Sequence, residues 1–315
     1  MIQNENISAL IIKSTGSSYV ALCDDGTKRE CHVKGNFRIR GIRSTNPVAV
    51  GDKVRIVTLT DGTNWITEVE DRRNYIIRRS TNLSKQTHII AANIDLACLI
   101  VTLRHPDTSL TFIDRFLATA EAYRIPVCII FNKLDLLTTK DEQTQLRHIR
   151  DLYEAIGYQT ITLSATDSRQ TDAIKDFLKG KITLFSGNSG VGKSTLLNAL
   201  LGEEVARTAQ ISAVHDKGMH TTTFSEMYSL RDSDGWIIDT PGIKGFGSFD
   251  MQREEIGHYF REIFQASREC RFGNCTHTGE PDCAVIKAVE SGKIAASRFN
   301  SYLSLLGDSE EGKYR

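Results

Sequence analysis

The first 75 residues alternate apolar and polar positions in short runs separated by turn signals. In SSYVALCDDGTKRECHV an Asp25-Gly26 pair divides two such runs as a hairpin turn does; GDKVRIVTL follows, and Asp61-Gly62 precedes TNWITEVE. Several short strands at this spacing predict a small β-barrel, for which an OB-fold is one candidate. Near residue 94 the period changes. IDLACLIV and VCIIF are continuously apolar, as strands buried on both faces are. Between them Phe112, Ile113, Phe116, Leu117 and Ala120 recur at helical spacing. YQTITL, KITLF and WIIDT read as further strands, and STLLNALL as the opening of a helix. Buried strands alternating with helices predict an α/β fold with a parallel, doubly wound sheet. STNLSKQTHIIAAN, residues 80–93, reads as the connector between barrel and sheet. Beyond about residue 250, MQREEIGHYFREIFQAS reads as a helix, followed by a cysteine-rich loop and two short helical stretches. Such a tail is too small for a large core of its own, which makes a structural metal useful. The expected division is a barrel over 1–79, the α/β domain over 80–250 and the tail over 251–315.

Composition narrows the function classes. A chain of 315 residues with 40% hydrophobic and 25% charged positions folds, and suits two or three domains. Lys plus Arg equals Asp plus Glu at 39 each, so net charge points to no polyanionic partner; the only local basic excess is in residues 1–79, with 13 basic against 9 acidic side chains. The N-terminus lacks the basic and apolar regions of a signal peptide, and no apolar run approaches the roughly 18 residues of a spanning helix. A cytoplasmic protein without membrane partners is expected. Its seven cysteines are then reduced or metal-bound. Cys98 and Cys128 sit in apolar strands, where an inert buried thiol is the expectation, and Cys23 and Cys31 carry no assigned chemistry.

The chemistry is concentrated in five motifs. Gly187-Asn188-Ser189-Gly190-Val191-Gly192-Lys193-Ser194 matches G-x-x-x-x-G-K-[ST] between a strand and a helix. Its glycines let backbone amides turn inward around phosphate oxygens, Lys193 adds a cation at the β/γ-phosphates, and Ser194 offers a hydroxyl to Mg²⁺, with Thr195 beside it. Asp239-Thr240-Pro241-Gly242 follows the strand WIID. Alone it is an everyday turn; about fifty residues after a phosphate loop it reads as D-x-x-G, with Asp239 in the Mg²⁺ shell and the Gly242 amide at the γ-phosphate. Asn132-Lys133-Leu134-Asp135 follows VCIIF and fits N-x-x-D-type guanine recognition, N-K-x-D. Asp135 would accept from the ring N–H and amino group of guanine, whereas adenine would leave that carboxylate desolvated and unpaired. The Lys133 stem can cover the base and Asn132 can brace neighbouring loops. Ser164-Ala165 fits the companion element, in which a backbone amide meets the guanine carbonyl oxygen. Finally, Cys270, Cys275, His277 and Cys283 supply three thiolates and an imidazole. That donor set suits one tetrahedral Zn²⁺, and four protein ligands make the site structural.

The order of these motifs is rotated. In Ras-like GTPases the phosphate loop comes first and the base-reading elements last; here Asn132–Asp135 and Ser164-Ala165 precede Gly187–Ser194, which precedes Asp239–Gly242. With an upstream β-rich region and a downstream cysteine cluster, the whole chain resembles the RsgA (YjeQ) family of circularly permuted, small-ribosomal-subunit-dependent GTPases. The resemblance implies an N-terminal OB-fold that contacts rRNA, a C-terminal zinc domain, and GTP hydrolysis stimulated by the small (30S) subunit late in its assembly. Gly218-Met219-His220-Thr221-Thr222-Thr223 is similar to that family's G-R-H-T-T-T switch I, with Met219 in place of the arginine. Thr222 would then meet Mg²⁺ and the γ-phosphate; three threonines in a row can equally be a plain strand. Ile243 stands where Ras-like enzymes place a water-orienting glutamine, which predicts feeble intrinsic hydrolysis and makes His220 the candidate substitute. The segment after Gly242 leads into the stretch starting near Met251, which suggests that switch movement reaches the zinc domain. Two other functions remain open on sequence: an RNA-binding assembly scaffold in which GTP is mainly a structural ligand, and a general P-loop ATPase, which Asp135 opposes. Nothing demands more than a monomer.

Overall fold

Five strands account for the N-terminal alternation: β1 (Ile7–Ser14), β2 (Tyr19–Cys23), β3 (Lys28–Val33), β4 (Lys53–Thr58) and β5 (Asn64–Val69). They pair in the order β1-β2-β3-β5-β4, and β1 also pairs with β4, which closes them into a barrel. All these pairings are antiparallel except β3 with β5. Alternate side chains enter the core, so Ile11, Tyr19, Ala21, Val54, Ile56 and Ile66 meet there. Cys23 and Cys31 belong to the same core, which gives them a packing role; burial pushes the Cys31 thiol up to about 11. The structure is a computed structural model that describes residues 6–15, 18–33, 47–79, 87–202, 225–230, 233–239 and 251–311.

The connector is not featureless. Within residues 80–93, β7 (Thr87–Ala92) pairs antiparallel with β6 (Tyr75–Arg79), and Ile76 faces Ala91 with both fully buried. The polar start of the segment masks this short apolar run. The barrel is locked to the pair by buried polar groups. Arg72 forms a bidentate pair with Asp52 at 2.7 and 2.6 Å, and Asp52 also accepts from the Ala49 amide at 2.8 Å. Gly51, at φ +89°, approaches Ala92 so closely that a Cβ would lie 2.1 Å from its carbonyl oxygen.

The chain forms two compact units, residues 1–98, 164–187 and 192–247 in one and residues 99–163, 188–191 and 248–315 in the other. In the first, β11 (Ile182–Ser186) and β13 (Trp236–Asp239) run parallel, and β12 (Ser225–Ser229) is antiparallel to β13. The sheet is therefore mixed rather than wholly parallel. β12 pairs in turn with β1 of the barrel, where Lys13 and Glu226 form an ion pair at 3.1 Å. Helices α3 (Ser168–Leu178) and α4 (Lys193–Leu201) belong to this unit. In the second unit, β9 (Val127–Phe131) runs parallel to β10 (Gln159–Thr162), with α1 (Leu110–Ala122) and α2 (Lys140–Ala155). The connecting strand β8 (Leu96–Val101) is buried at every residue.

The tail also departs from expectation. Instead of one helix over 251–267 there is a 3₁₀ segment, Arg253–Tyr259, then α5 (Arg261–Ser267), broken at extended Phe260. The break turns the fully buried Phe260 ring edge-on to Tyr302, with centroids 5.7 Å apart, so tertiary packing overrides the helical pattern. Two helices follow, α6 (Ala284–Glu290) and α7 (Ala296–Glu311), the latter not short at 16 residues. Their core, with Ile256, Ile263, Val285, Tyr302 and Leu306, includes Ala118 of α1. No helix among the described residues is long and apolar enough to cross a membrane.

Candidate functional site

The phosphate loop leaves β11 at Ser186 and enters α4 at Lys193. Gly187, Gly190 and Gly192 have φ of 153°, 84° and 90°, a backbone path that side-chain-bearing residues resist. Gly192 is the N-cap of α4, and no side chain caps that end. The first-turn amides of Lys193, Ser194 and Thr195 are therefore left to an anion, with the helix dipole behind them. Asp239 ends β13 in register with Phe185 on β11, so the carboxylate and the loop leave neighbouring strand ends. In this arrangement a triphosphate and a divalent cation fit: amides and Lys193 for phosphate oxygens, the Ser194 hydroxyl and the Asp239 carboxylate for Mg²⁺.

The guanine motif sits at the end of β9. Asn132 is buried and its Nδ2 donates to the Val191 carbonyl at 2.8 Å. Lys133 adopts φ 64° and its Nζ donates to the Gly190 carbonyl at 2.7 Å and to the His105 carbonyl. Asn132 and Lys133 thus brace the crown of the phosphate loop, residues 188–191. Asp135 lies exposed in the single 3₁₀ turn Leu134–Leu136, where a ligand can reach it. Ser164 and Ala165 are buried after β10, and the Ser164 amide donates to Gln170 Oε1 at 2.7 Å, which commits that amide to the first turn of α3. Gln170 and the His105 carbonyl escaped sequence reading. The first carries no motif, and a carbonyl leaves no signature in residue identity.

Cys270, Cys275, His277 and Cys283 bring one ligand atom each within 4.8 Å of one another. His277 faces the cluster with Nδ1, 3.3 Å from Cys283 Sγ and 3.7 Å from Cys270 Sγ, and the two sulfurs are 3.9 Å apart. A tetrahedral ion with bonds of about 2.3 Å to sulfur sets ligand atoms roughly 3.7 Å apart, so the four donors fit one metal ion. Burial lowers the His277 pKa, which keeps the imidazole neutral and its lone pair available. Glu280 ties the ligand loop together, accepting from the amides of Thr276, Thr278 and Gly279 at 2.6, 2.8 and 3.1 Å. Tyr302 donates to the Thr276 carbonyl at 2.7 Å, which joins the loop to α7.

Gly242 and the segment Gly218–Thr223, with His220 and Thr222, lie outside the described residues.

Comparison with known proteins agrees with this chemistry. The RsgA GTPase family matches residues 69–249, and the RsgA N-terminal domain matches residues 9–66. The small ribosomal subunit biogenesis GTPase RsgA of Bacteroides fragilis is 61% identical over 309 residues, covering 98% of this chain and 99% of the relative. RsgA 2 of Bacteroides thetaiotaomicron is 60% identical with the same coverage. Among solved structures, YloQ, described as a circularly permuted GTPase, superposes with a TM-score of 0.76 at 28% identity, covering 99% of this chain and 98% of that one. YjeQ from Thermotoga maritima gives 0.75 at 30% identity, covering 97% and 99%.

Proposed function

The chain belongs to the RsgA GTPase family, and from that premise we propose how its residues serve a circularly permuted GTPase in biogenesis of the small (30S) ribosomal subunit. The observation that carries the reading is the brace between Asn132–Lys133 and the carbonyls of Gly190 and Val191, which ties a base-reading motif to a phosphate loop more than fifty residues downstream. Asp135 selects guanine, and the Ser164-Ala165 turn lines the base. The amides of Gly187–Ser194 and the Lys193 ammonium hold the phosphates, and Thr195 completes the first turn of α4. Ser194, Thr222 and Asp239 would hold Mg²⁺, which supplies charge neutralisation at the β/γ-phosphates, and Gly242 offers its amide to the γ-phosphate.

For hydrolysis, the chain must orient a water in line with the γ-phosphate, and Ile243 offers no polar atom for that. We assign the task to His220 in switch I, acting when the small subunit docks, so that intrinsic turnover is slow and stimulated turnover is fast. Lys193 stabilises charge on the transferring group. The barrel over 1–79 contacts rRNA, the domain over 80–250 turns over GTP, and the tail over 251–315 holds one structural Zn²⁺ on Cys270, Cys275, His277 and Cys283. The protein works in the cytoplasm as a monomer. Multiple-turnover hydrolysis of GTP and ATP, each titrated with purified small subunits, tests this. GTP turnover should rise with subunits while ATP turnover stays at background. GTP turnover that ignores subunits would favour a scaffold in which the nucleotide is a structural ligand.

A further inference from the structure

The tail grips the guanine-reading half of the protein along a single helix. Asp114 of α1 is fully buried; its Oδ1 accepts from Arg298 Nη1 of α7 and from the Tyr153 hydroxyl of α2, both at 2.8 Å. Arg298, only 1% exposed, also donates to Glu262 of α5 at 2.6 and 3.1 Å and stacks on Phe260 at 4.7 Å. One turn further along α1, Ala118 enters the tail's own core. Near its end, Glu121 pairs with Arg261 at 2.6 Å, whose guanidinium lies over Tyr158.

At its other end α1 begins directly after a loop that touches the nucleotide motifs. Residues 102–109 are closed by reciprocal bonds, Thr108 amide to Thr102 carbonyl at 3.0 Å and Thr102 amide to Thr108 Oγ1 at 3.2 Å. Ser109 then caps α1, accepting from the Phe112 amide. The loop's His105 carbonyl holds Lys133, and the Pro106 ring occupies the space beside Gly190, where an added Cβ would meet Pro106 Cδ at 3.3 Å. On the far side, the metal-ligand loop is joined through the Thr276 carbonyl to Tyr302, one helical turn from Arg298 on α7.

We propose that Asp114 and Arg298 are positioning residues for guanine recognition: the occupied Cys3His centre fixes α7, the Arg298–Asp114 bridge passes that constraint to α1, and α1 sets the loop that aims Lys133. This route differs from one through the segment after Asp239–Gly242, because it acts on the base-reading end. It makes the tail a determinant of nucleotide affinity. The inference rests on the guanine-site reading above.

The test uses the full chain and a fluorescent GDP analogue. Asp114→Asn keeps the side-chain shape and the Tyr153 bond but removes the charge facing Arg298. It should weaken GDP binding about fivefold or more with one zinc per chain retained. Wild-type protein stripped of metal by a chelator should show the same loss, reversed by added zinc. Amides of residues 103–109 and 133–135 should then exchange faster with solvent, while those of β1–β5 do not change. If Asp114→Asn fails to fold, Glu121→Gln should give a two- to threefold loss. GDP affinity within twofold of wild type in the folded variant, or in the stripped chain, overturns the proposal. Wild-type protein that binds no GDP condemns the guanine-site reading instead.

Discussion

Arg72→Met tests how the barrel is held to the rest of its unit. The substitution keeps most of the aliphatic stem and removes the guanidinium that meets both oxygens of Asp52 and the Pro47 carbonyl. Arg72 is 5% exposed and Asp52 is 0%, so the abandoned carboxylate stays buried, with the Ala49 amide still donating to it. Breaking a buried pair from one side costs about 3–5 kcal/mol, most of it the penalty of the unpaired charge. For a cooperative unit of roughly 150–250 residues, each kcal/mol moves Tm by about 2–4 °C, so a fall of roughly 6–20 °C is expected. The sign of its pH dependence follows from Asp52. Burial holds that carboxyl above its ordinary value even with Arg72 beside it, and losing the cation drives it further up. A carboxyl whose folded pKa is raised gains a proton on folding, so its penalty is full above the raised value and relieved as pH falls through it. Thermal melts of wild type and variant at pH 7.5 and 5.5 should show a smaller deficit at the lower pH. Replacing both partners by leucine should recover much of the loss. A deficit under about 1 kcal/mol at pH 7.5, or a double variant as unstable as the single one, would refute the reasoning.

Asp135→Asn should lower GDP affinity by about a hundredfold, since charge-assisted hydrogen bonds contribute about 1.5–3 kcal/mol each, while leaving thermal stability close to wild type; unchanged GDP over ADP preference in a competition assay would remove Asp135 from base reading. Metal affinity should fall as pH falls. Burial pushes the Cys275 thiol up to about 12, so protons must leave for the ion to bind, and zinc titrations at pH 6 and 8 should differ in midpoint in that direction. Glu280→Gln should loosen the ligand loop at neutral pH. Burial opposes the Glu280 charge, but the Thr276 hydroxyl and the surrounding amides outweigh it and bring its pKa to about 2. That stabilisation is present above the ordinary carboxylate range and lost between about 4.5 and 2; faster zinc release to a chelator at pH 7 is the readout.

Much of this site could be read from residue order because its chemistry depends on residue type at short range. Glycines at 187, 190 and 192 are demanded by left-handed backbone, and three cysteines with one histidine inside fourteen residues have few other uses. The barrel was legible for the same reason, since alternation and Asp-Gly turns are local signals. What escaped was set by partners distant in sequence. Asp114 falls in a helical pattern and Arg298 in a polar stretch, and only the fold puts them 2.8 Å apart across 184 residues. Phe260 breaks a helix because a core formed by α6 and α7 receives its ring. The strand β7 hid behind a polar start, and the antiparallel β12 is a property of sheet assembly rather than of its own five residues.

Equilibrium binding of GDP and ADP to the full-length, zinc-loaded protein in the presence of magnesium measures the central claim without any partner. Saturable GDP binding at one site per chain, with ADP weaker by two orders of magnitude or more, is the predicted result. Equal affinity for the two nucleotides, or no binding of GDP, would contradict it.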